Sequence, residues 1–329
     1  MAIWQRRTLA DSPAGRVCVS HSGGNQADCY PARPTGDGRS WRTASHLLPA
    51  GCLIAAIYWP TLVELAAVWE IDPNYSHGYL VAPLSLFFAW RTWKLGARPV
   101  AEQVAWRDQA LGLALLGVGL GLHALAWFLG HLLYDVLSLT CVLLGTLCCM
   151  GGLPAVRGYG FAVAFLVFMA PLPMSWHEKL AVPMQRLASD TSALLLHVGG
   201  VPVFREGYLL HLPGYRAEVG AACSGLRQIT SFVLLSTAAA YLAKLSAASR
   251  VMLVAASFPI AILSNTFRIV LTGVVAVYLG PRWAEGVFHT LEGTAVAAVG
   301  LVLIYATYRL LSAMENRSLT AAAVAPPQV

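Results

Sequence analysis

The chain has 329 residues, of which 57% are apolar and only 12% are charged, and its mean hydropathy is +0.62. Soluble domains are roughly half apolar and a quarter charged, so this composition excludes an ordinary soluble protein and predicts a polytopic membrane protein. The net charge of +6 comes from Lys and Arg residues that flank the apolar runs. It therefore indicates attraction to anionic lipid and gives no reason to expect nucleic acid as a partner.

The two ends of the chain differ from the rest. Residues 1–45 are rich in Gly, Ser, Arg and Pro without an apolar period, which predicts either a disordered cytoplasmic tail or a start that is assigned too early. They lack the apolar core of a signal peptide, so we expect the first span to act as the targeting signal. A membrane domain is predicted for residues 46–313 and a second flexible cytoplasmic tail for residues 314–329.

A helical crossing needs about 20 mostly apolar residues, and eight runs approach that length, which predicts an all-α bundle of about eight transmembrane helices. Most Lys and Arg residues then fall on the side of the N-terminus, so both termini are predicted to be cytoplasmic. The predicted spans are residues 47–69, 79–93, 109–129, 132–152, 159–172, 225–243, 252–279 and 287–310.

The one sizeable outer segment is predicted at residues 173–222. Apolar residues recur at three- and four-residue spacing through 176–198, which indicates an amphipathic helix on the outer leaflet. Gly199 and Gly200 would end this helix, and a small hairpin would then lead to Cys223. The alternative is that both elements merely cap the bundle. The strand-like runs are residues 201–203, 208–212 and 216–219.

Cys223 lies in the run EVGAACSGLR, where a loop enters an apolar segment. The other six of the seven cysteines fall in the cytoplasmic tail or within spans, so Cys223 is predicted to be the one outer thiol. A helix N-terminus and Arg227, one turn deeper, both favour the reactive thiolate. Gly225 leaves the backbone beside the sulfur open. A lone cysteine at a helix end is more often a small buried apolar residue, and it is these neighbours that favour a nucleophile.

Two further polar clusters are predicted at the same depth. SNTFRI places Asn265 and Arg268 on one face of the seventh span, and FHTLEG places His289 and Glu292 at the outer end of the eighth. Arg268 has the alternative role of holding the bundle together, and His289 that of an ordinary interfacial histidine. A thiol, an imidazole and a cation in three consecutive spans nevertheless form a set for acyl transfer.

The segments EVGAACSGLR, SNTFRI and FHTLEG, in this order, resemble those of exosortases, the bacterial membrane transpeptidases similar to archaeosortases. The resemblance extends to DPNYSHGY at residues 72–79 and to the eight-span layout. It implies that Cys223, Arg268 and His289 are catalytic. It also implies substrates that are secreted proteins with a C-terminal signal of a Pro-Glu-Pro-like motif, an apolar helix and a basic cluster, and a link to exopolysaccharide and biofilm export.

The chemistry of these groups predicts a thiol protease or transpeptidase with its active site on the extracytoplasmic face, and the resemblance implies that it lies in the bacterial inner membrane. Cys223 would attack the peptide carbonyl, Arg268 would stabilise the oxyanion, and His289 would protonate the leaving amine. An acceptor nucleophile would then resolve the thioester. Arg227 is the alternative cation. We expect no metal and no cofactor, because the sequence has neither zinc-ligand spacing nor a Gly-rich phosphate loop.

Two other functions remain open at this stage. A transporter would use Arg268, Arg227, Glu64 and His123 to line a polar path. Transporters usually place such groups near the midplane on paired broken helices, often within an internal repeat, and the sequence shows neither. The second alternative is a scaffold for polysaccharide export that has no chemistry of its own.

Overall fold

The structure is a computed structural model that describes residues 16–20, 27–31, 40–97, 99–101, 103–220, 225–285 and 287–324. For residues 16–20, 27–31, 40–47, 285, 287–292 and 318–324 it describes the backbone alone. The chain divides into two compact units, Met1–Trp59 and Pro60–Val329.

The first unit contains a short hairpin. Strands β1 (Arg16–Ser20) and β2 (Ala27–Pro31) pair antiparallel, with Cys18 opposite Cys29. These ten positions lie within the predicted tail, and the β-branched valines at 17 and 19 favour a strand there. The first helix begins in this unit, earlier than the predicted start of the first span.

Helices account for most of the described chain, as the sequence predicts. Among the described residues, five helical stretches are long and apolar enough to cross a membrane. They are Leu48–Ile71, Trp106–Leu129, Leu132–Met169, Ala247–Tyr278 and Gly293–Arg317. The helices are α1 (Ser40–Ile71), α2 (Gly78–Lys94), α3 (Trp106–Leu129), α4 (Leu132–Phe165), α5 (Met174–Val198), α6 (Leu226–Leu242), α7 (Ala247–Tyr278), α8 (Pro281–Glu285) and α9 (Val287–Val324).

The predicted number of crossings is not settled by helix length. Helices α2 and α6 have 17 residues each, which is about 25 Å of helix against a hydrocarbon core of about 30 Å. Eight spans therefore remain a prediction. Helix α9 extends to Val324 and so continues into the tail that was expected to be flexible.

Helix α4 contains the fourth predicted span and the first part of the fifth, residues 159–165, and it reverses direction at Gly152. This glycine has φ 67° and ψ −170°, which no helix allows. A Cβ built on Gly160 would lie 3.9 Å from Leu144 Cδ2, whereas 16 residues of straight helix would separate them by about 24 Å. The two halves therefore fold back on each other. The Leu153 N–H at the reversal donates to Asp108 Oδ2 at 3.0 Å.

Each half of α4 packs antiparallel against one earlier helix. In the first half, Ser138 Oγ donates to the Gly119 carbonyl of α3 at 2.6 Å. In the second half, Ala162 O accepts a bond of 2.7 Å from Ser85 Oγ of α2. Both hydroxyls are buried, and the small residues at these contacts let the helix backbones approach closely.

The segment predicted as an insertion contains the expected helix and strands. Helix α5 is followed by β3 (Phe204–Glu206), β4 (Leu209–Leu212) and β5 (Tyr215–Glu218), an antiparallel sheet in the order β3-β4-β5. The first strand was predicted three residues too early. Val201 N–H bonds the Leu196 carbonyl at 2.9 Å and so extends the end of α5, while Pro202 has no N–H to give to a ladder.

The sheet and α5 pack on α7. Leu196 of α5 and Leu210 of β4 form a buried apolar cluster with Ile269 of α7. Arg205 Nε of β3 also lies 2.9 Å from Asp190 Oδ1 of α5. The insertion is thus fixed to the helix that carries Arg268, although the side of the membrane on which it lies stays a prediction.

Candidate active site

The cysteine segment is described at both ends but not at its centre. Cys223 lies outside the described residues. On one side, Val219 N–H donates to the Tyr208 carbonyl at 2.8 Å and ties the segment to the sheet. On the other side, Gly225 is the residue before α6 and has φ +85°. The chain allows at most about 7 Å between the Cα atoms of Cys223 and Gly225.

Gly225 packs directly against Asn265 of α7. A Cβ at position 225 would lie 3.2 Å from Cβ, Cγ and Nδ2 of Asn265. The left-handed φ and this close approach both favour glycine. Asn265 is 2% exposed. Two predicted site segments, those of Cys223 and Arg268, therefore meet at this contact.

Arg268 lies one helical turn after Asn265 and is only 9% exposed. Ser264 and Thr266 are also buried, so this stretch of α7 carries a run of buried polar groups. Thr266 Oγ1 lies 3.1 Å from Thr191 Oγ1, which fixes the stretch against α5. Among the described residues, Nη2 of Arg268 has no hydrogen-bond partner. A buried donor without an acceptor is costly, so this nitrogen could bond an acceptor that lies outside the described residues.

His289 and Glu292 belong to the first turns of α9, where the structure describes the backbone alone. Their side chains lie outside the described residues, so the predicted role of His289 stays a prediction. Helix α9 itself is anchored to α6 and α7. Gly300 lies so close to the Phe232 ring that no Cβ would fit, and Ile304 joins the cluster of Leu253 and Ile260.

Arg227 lies in the first turn of α6. It lines a narrow cleft between the start of α6 and the loop that joins α1 to α2, with room for roughly one water. The residues that line this cleft are Asn74, Tyr75, Leu172, His177, Leu226, Arg227 and Thr230.

The loop of residues 72–77, which forms one wall of this cleft, is held in place by specific bonds. Asp72 Oδ1 accepts from the Asn74 N–H at 2.8 Å and begins the 3-10 turn Pro73–Tyr75. Tyr75 is 8% exposed, and its hydroxyl accepts from Leu172 N–H at 3.2 Å. These bonds fix the loop as one wall of the cleft. In the sequence, this loop stood out only through its resemblance to exosortases.

Two histidines flank Tyr75. The ring centroids of His77 and His177 lie 6.4 Å and 6.3 Å from that of Tyr75. Burial lowers the pKa of His77, and the nearby Asn74 and Phe168 carbonyls only partly oppose this, so its imidazole is mainly neutral at pH 7. Burial raises the pKa of Tyr75. The sequence analysis did not identify His177 as a site residue, because the pattern around it indicates only the start of an amphipathic helix.

Comparison with known proteins addresses the family. The family model for transmembrane exosortases matches residues 69–306, which is well over half of the chain. The chain belongs to the transmembrane exosortase family. The predicted resemblance is thereby confirmed. Curated proteins and solved structures give no match.

Exosortases are in general cysteine transpeptidases that act on protein sorting signals. The matched region includes the loop of residues 72–77, the cysteine segment and the starts of the last two long helices. The transporter alternative has less support in this exosortase. His123 Nδ1 lies 2.7 Å from Asp135 Oδ1. This contact joins α3 to α4, which is a structural role and not that of a residue that lines a transport path.

Proposed function

We propose that this exosortase cleaves the C-terminal sorting signals of secreted proteins through a thioester formed on Cys223. The observation that supports this most is the contact between Gly225 and Asn265, because it holds the cysteine segment against α7 one turn before Arg268. Arg268 is buried, and its Nη2 lacks an acceptor among the described residues. A thiol and a preorganised cation are the parts that acyl transfer requires.

The first half of the reaction forms the thioester. The Cys223 thiolate attacks the scissile carbonyl carbon, and the carbonyl oxygen becomes an oxyanion that accepts hydrogen bonds from Arg268. The C–N bond then breaks, and His289 gives a proton to the leaving amine. The apolar helix of the signal leaves with that amine and remains in the bilayer.

The second half releases the processed protein. An acceptor nucleophile, deprotonated by the now neutral His289, attacks the thioester carbonyl, and Arg268 again stabilises the oxyanion. The C–S bond breaks and restores the thiolate. With an amine acceptor the enzyme is a transpeptidase, and with water it is a protease. Arg227, near the start of the same helix, would support the thiolate through its charge.

The setting of the reaction follows from the same proposal. The enzyme would lie in the bacterial inner membrane, with both termini in the cytoplasm and the cysteine segment outside. The substrate signal would carry a Pro-Glu-Pro-like motif, an apolar helix and a basic cluster, and its helix would reach the site by diffusion in the lipid. The wider role would be in exopolysaccharide and biofilm export.

Replacement of the thiol tests the proposal. Cys223→Ala and Cys223→Ser should abolish processing and let uncleaved substrate accumulate, because neither side chain supplies a thiolate at neutral pH. Cys52→Ala is the matched control, since Cys52 is exposed on α1. Hydroxylamine should also release a hydroxamate of the substrate from the wild-type enzyme. Normal processing by Cys223→Ala would refute the nucleophile, whereas a scaffold or transporter would tolerate the change.

A further inference from the structure

Three helical segments meet around the reversal of α4, and each carries a basic residue there. Lys94 is the last residue of α2, and Arg107 lies in the first turn of α3. Arg157 lies just over one turn after Gly152 in α4. All three side chains are exposed. We call this set of three the reversal surface, and the transpeptidase mechanism makes no use of it.

Residues close in sequence to these three are in contact across the reversal. Asp108 Oδ2 accepts the Leu153 N–H at 3.0 Å, which ties the start of α3 to the turn. A Cβ on Gly158 would lie 3.4 Å from Thr92 Cγ2 and 3.4 Å from Ala97 Cβ, which ties the end of α2 to the second half of α4. The three basic residues therefore lie around one turn, at the same end of the bundle.

The positive charge of the reversal surface is not neutralised by the part of the chain that the structure describes. Within that part, no carboxylate oxygen lies within 4.0 Å of a charged nitrogen of the three side chains. Asp108 is the acid at the turn, and its Oδ2 accepts a backbone N–H. Glu102 lies outside the described residues. Three exposed cations at one turn attract an anion from the surroundings.

Exposed tryptophans set the depth of this surface in the membrane. Lys94 Nζ lies 5.6 Å from the ring centroid of Trp90 and 5.9 Å from that of Trp93. Arg107 Cζ lies 5.7 Å from the ring centroid of Trp106, where the apolar stretch of α3 begins. All three indoles are exposed, and tryptophans at the ends of apolar helices lie at the membrane–water interface. The cations are thus held at the level of the phospholipid phosphates.

We propose that the reversal surface binds anionic phospholipid through Lys94, Arg107 and Arg157. Ammonium and guanidinium groups both donate hydrogen bonds to phosphate oxygens, and a guanidinium can donate two in parallel. A zwitterionic lipid carries its own cation and cannot neutralise the surface, so the surface should select lipids with a net negative charge. The acyl chains would lie against exposed apolar side chains of α2 and α3, such as Leu86 and Leu113.

Lipid binding to the purified full-length protein in detergent tests this proposal. Native mass spectrometry gives the dissociation constants for phosphatidylglycerol and phosphatidylcholine. Wild type should prefer phosphatidylglycerol about 100-fold, because each basic residue near the lipid contributes about 5-fold. Each of Lys94→Gln, Arg107→Gln and Arg157→Gln should therefore lower the preference about 5-fold, whereas Lys94→Arg should retain it. Each variant is a separate test, so the others decide the outcome if one does not fold.

The matched control is Arg216→Gln, which removes an exposed arginine from β5 and should leave the preference unchanged. Equal affinity of wild type for the two lipids overturns the proposal. An equal loss in Arg216→Gln also overturns it, because net charge alone would then attract the lipid. Soluble glycerol phosphate at the same concentration as the lipid should not displace phosphatidylglycerol; displacement would identify a site for free phosphate and refute the lipid. The measurement uses neither Cys223 nor a peptide, so its outcome is independent of the proposed function.

Discussion

One methyl group at position 225 tests whether the cysteine segment depends on its contact with α7. Gly225→Ala places an L side chain at φ +85°, which costs about 1–2 kcal/mol. The new Cβ would also lie 3.2 Å from three atoms of Asn265, and overpacking of this kind costs about 1–3 kcal/mol more. We therefore expect a loss of about 2–5 kcal/mol in stability, or a shift of the segment that relieves the crowding.

The matched control is Gly214→Ala. Gly214 has φ +73° with nothing within 4 Å of its Cβ position, so it has the backbone strain without the crowding. Thermal unfolding in detergent and processing at equal membrane abundance are measured for both variants. Gly225→Ala should process substrate up to about 100-fold more slowly, since a displacement of about 1 Å has that effect on a reacting group. If the two variants behave alike and both process normally, the contact does not position the site.

The remaining predictions concern the arginines, the topology and one histidine. Arg268→Lys should slow processing by about 10²–10³-fold, because a point charge cannot replace the planar fork, and Arg227→Lys should be milder. The reverse order at equal abundance would transfer the catalytic role to Arg227. A membrane-impermeant maleimide should label Cys223 in intact spheroplasts; labelling only after permeabilisation would invert the topology. Burial lowers the pKa of His77, so as the pH is lowered through about 6.5 the unfolded state takes up this proton before the folded state does. The free energy of unfolding therefore decreases as the pH is lowered. His77→Gln should reduce the drop in melting temperature between pH 7.5 and 5.5, and an unchanged drop would exclude His77 as its source.

Sequence patterns predicted the elements whose periodicity is strong. The helix expected at residues 176–198 is α5, Met174–Val198, because its apolar spacing is regular and Gly199 follows it. The first strand was displaced because Val201 still belongs to the hydrogen bonding of the helix end. Local strand propensity cannot predict such a hydrogen bond, because the bond depends on how the preceding helix ends.

Two residues of the candidate site could be predicted from the sequence because of their polarity, not because of any periodicity. Arg268 and Asn265 stood out because polar groups are rare in apolar spans, and the structure places Asn265 against Gly225. His177 did not stand out, because it lies at the half-exposed start of α5 among other polar residues. Its place in the cleft depends on how the chain brings residue 177 to residue 75, which no local pattern encodes.

The reversal at Gly152 determines where relatives of this chain can differ in length. The two halves of α4 meet without a loop, so an added residue in the second half would rotate everything after it by about 100°. Phe165 would then turn away from Phe88, whose ring centroid lies 5.1 Å away. The turns at Gly207 and Gly214 have open space around them and can absorb such changes. Insertions and deletions among relatives should therefore gather at the sheet turns and avoid residues 132–165.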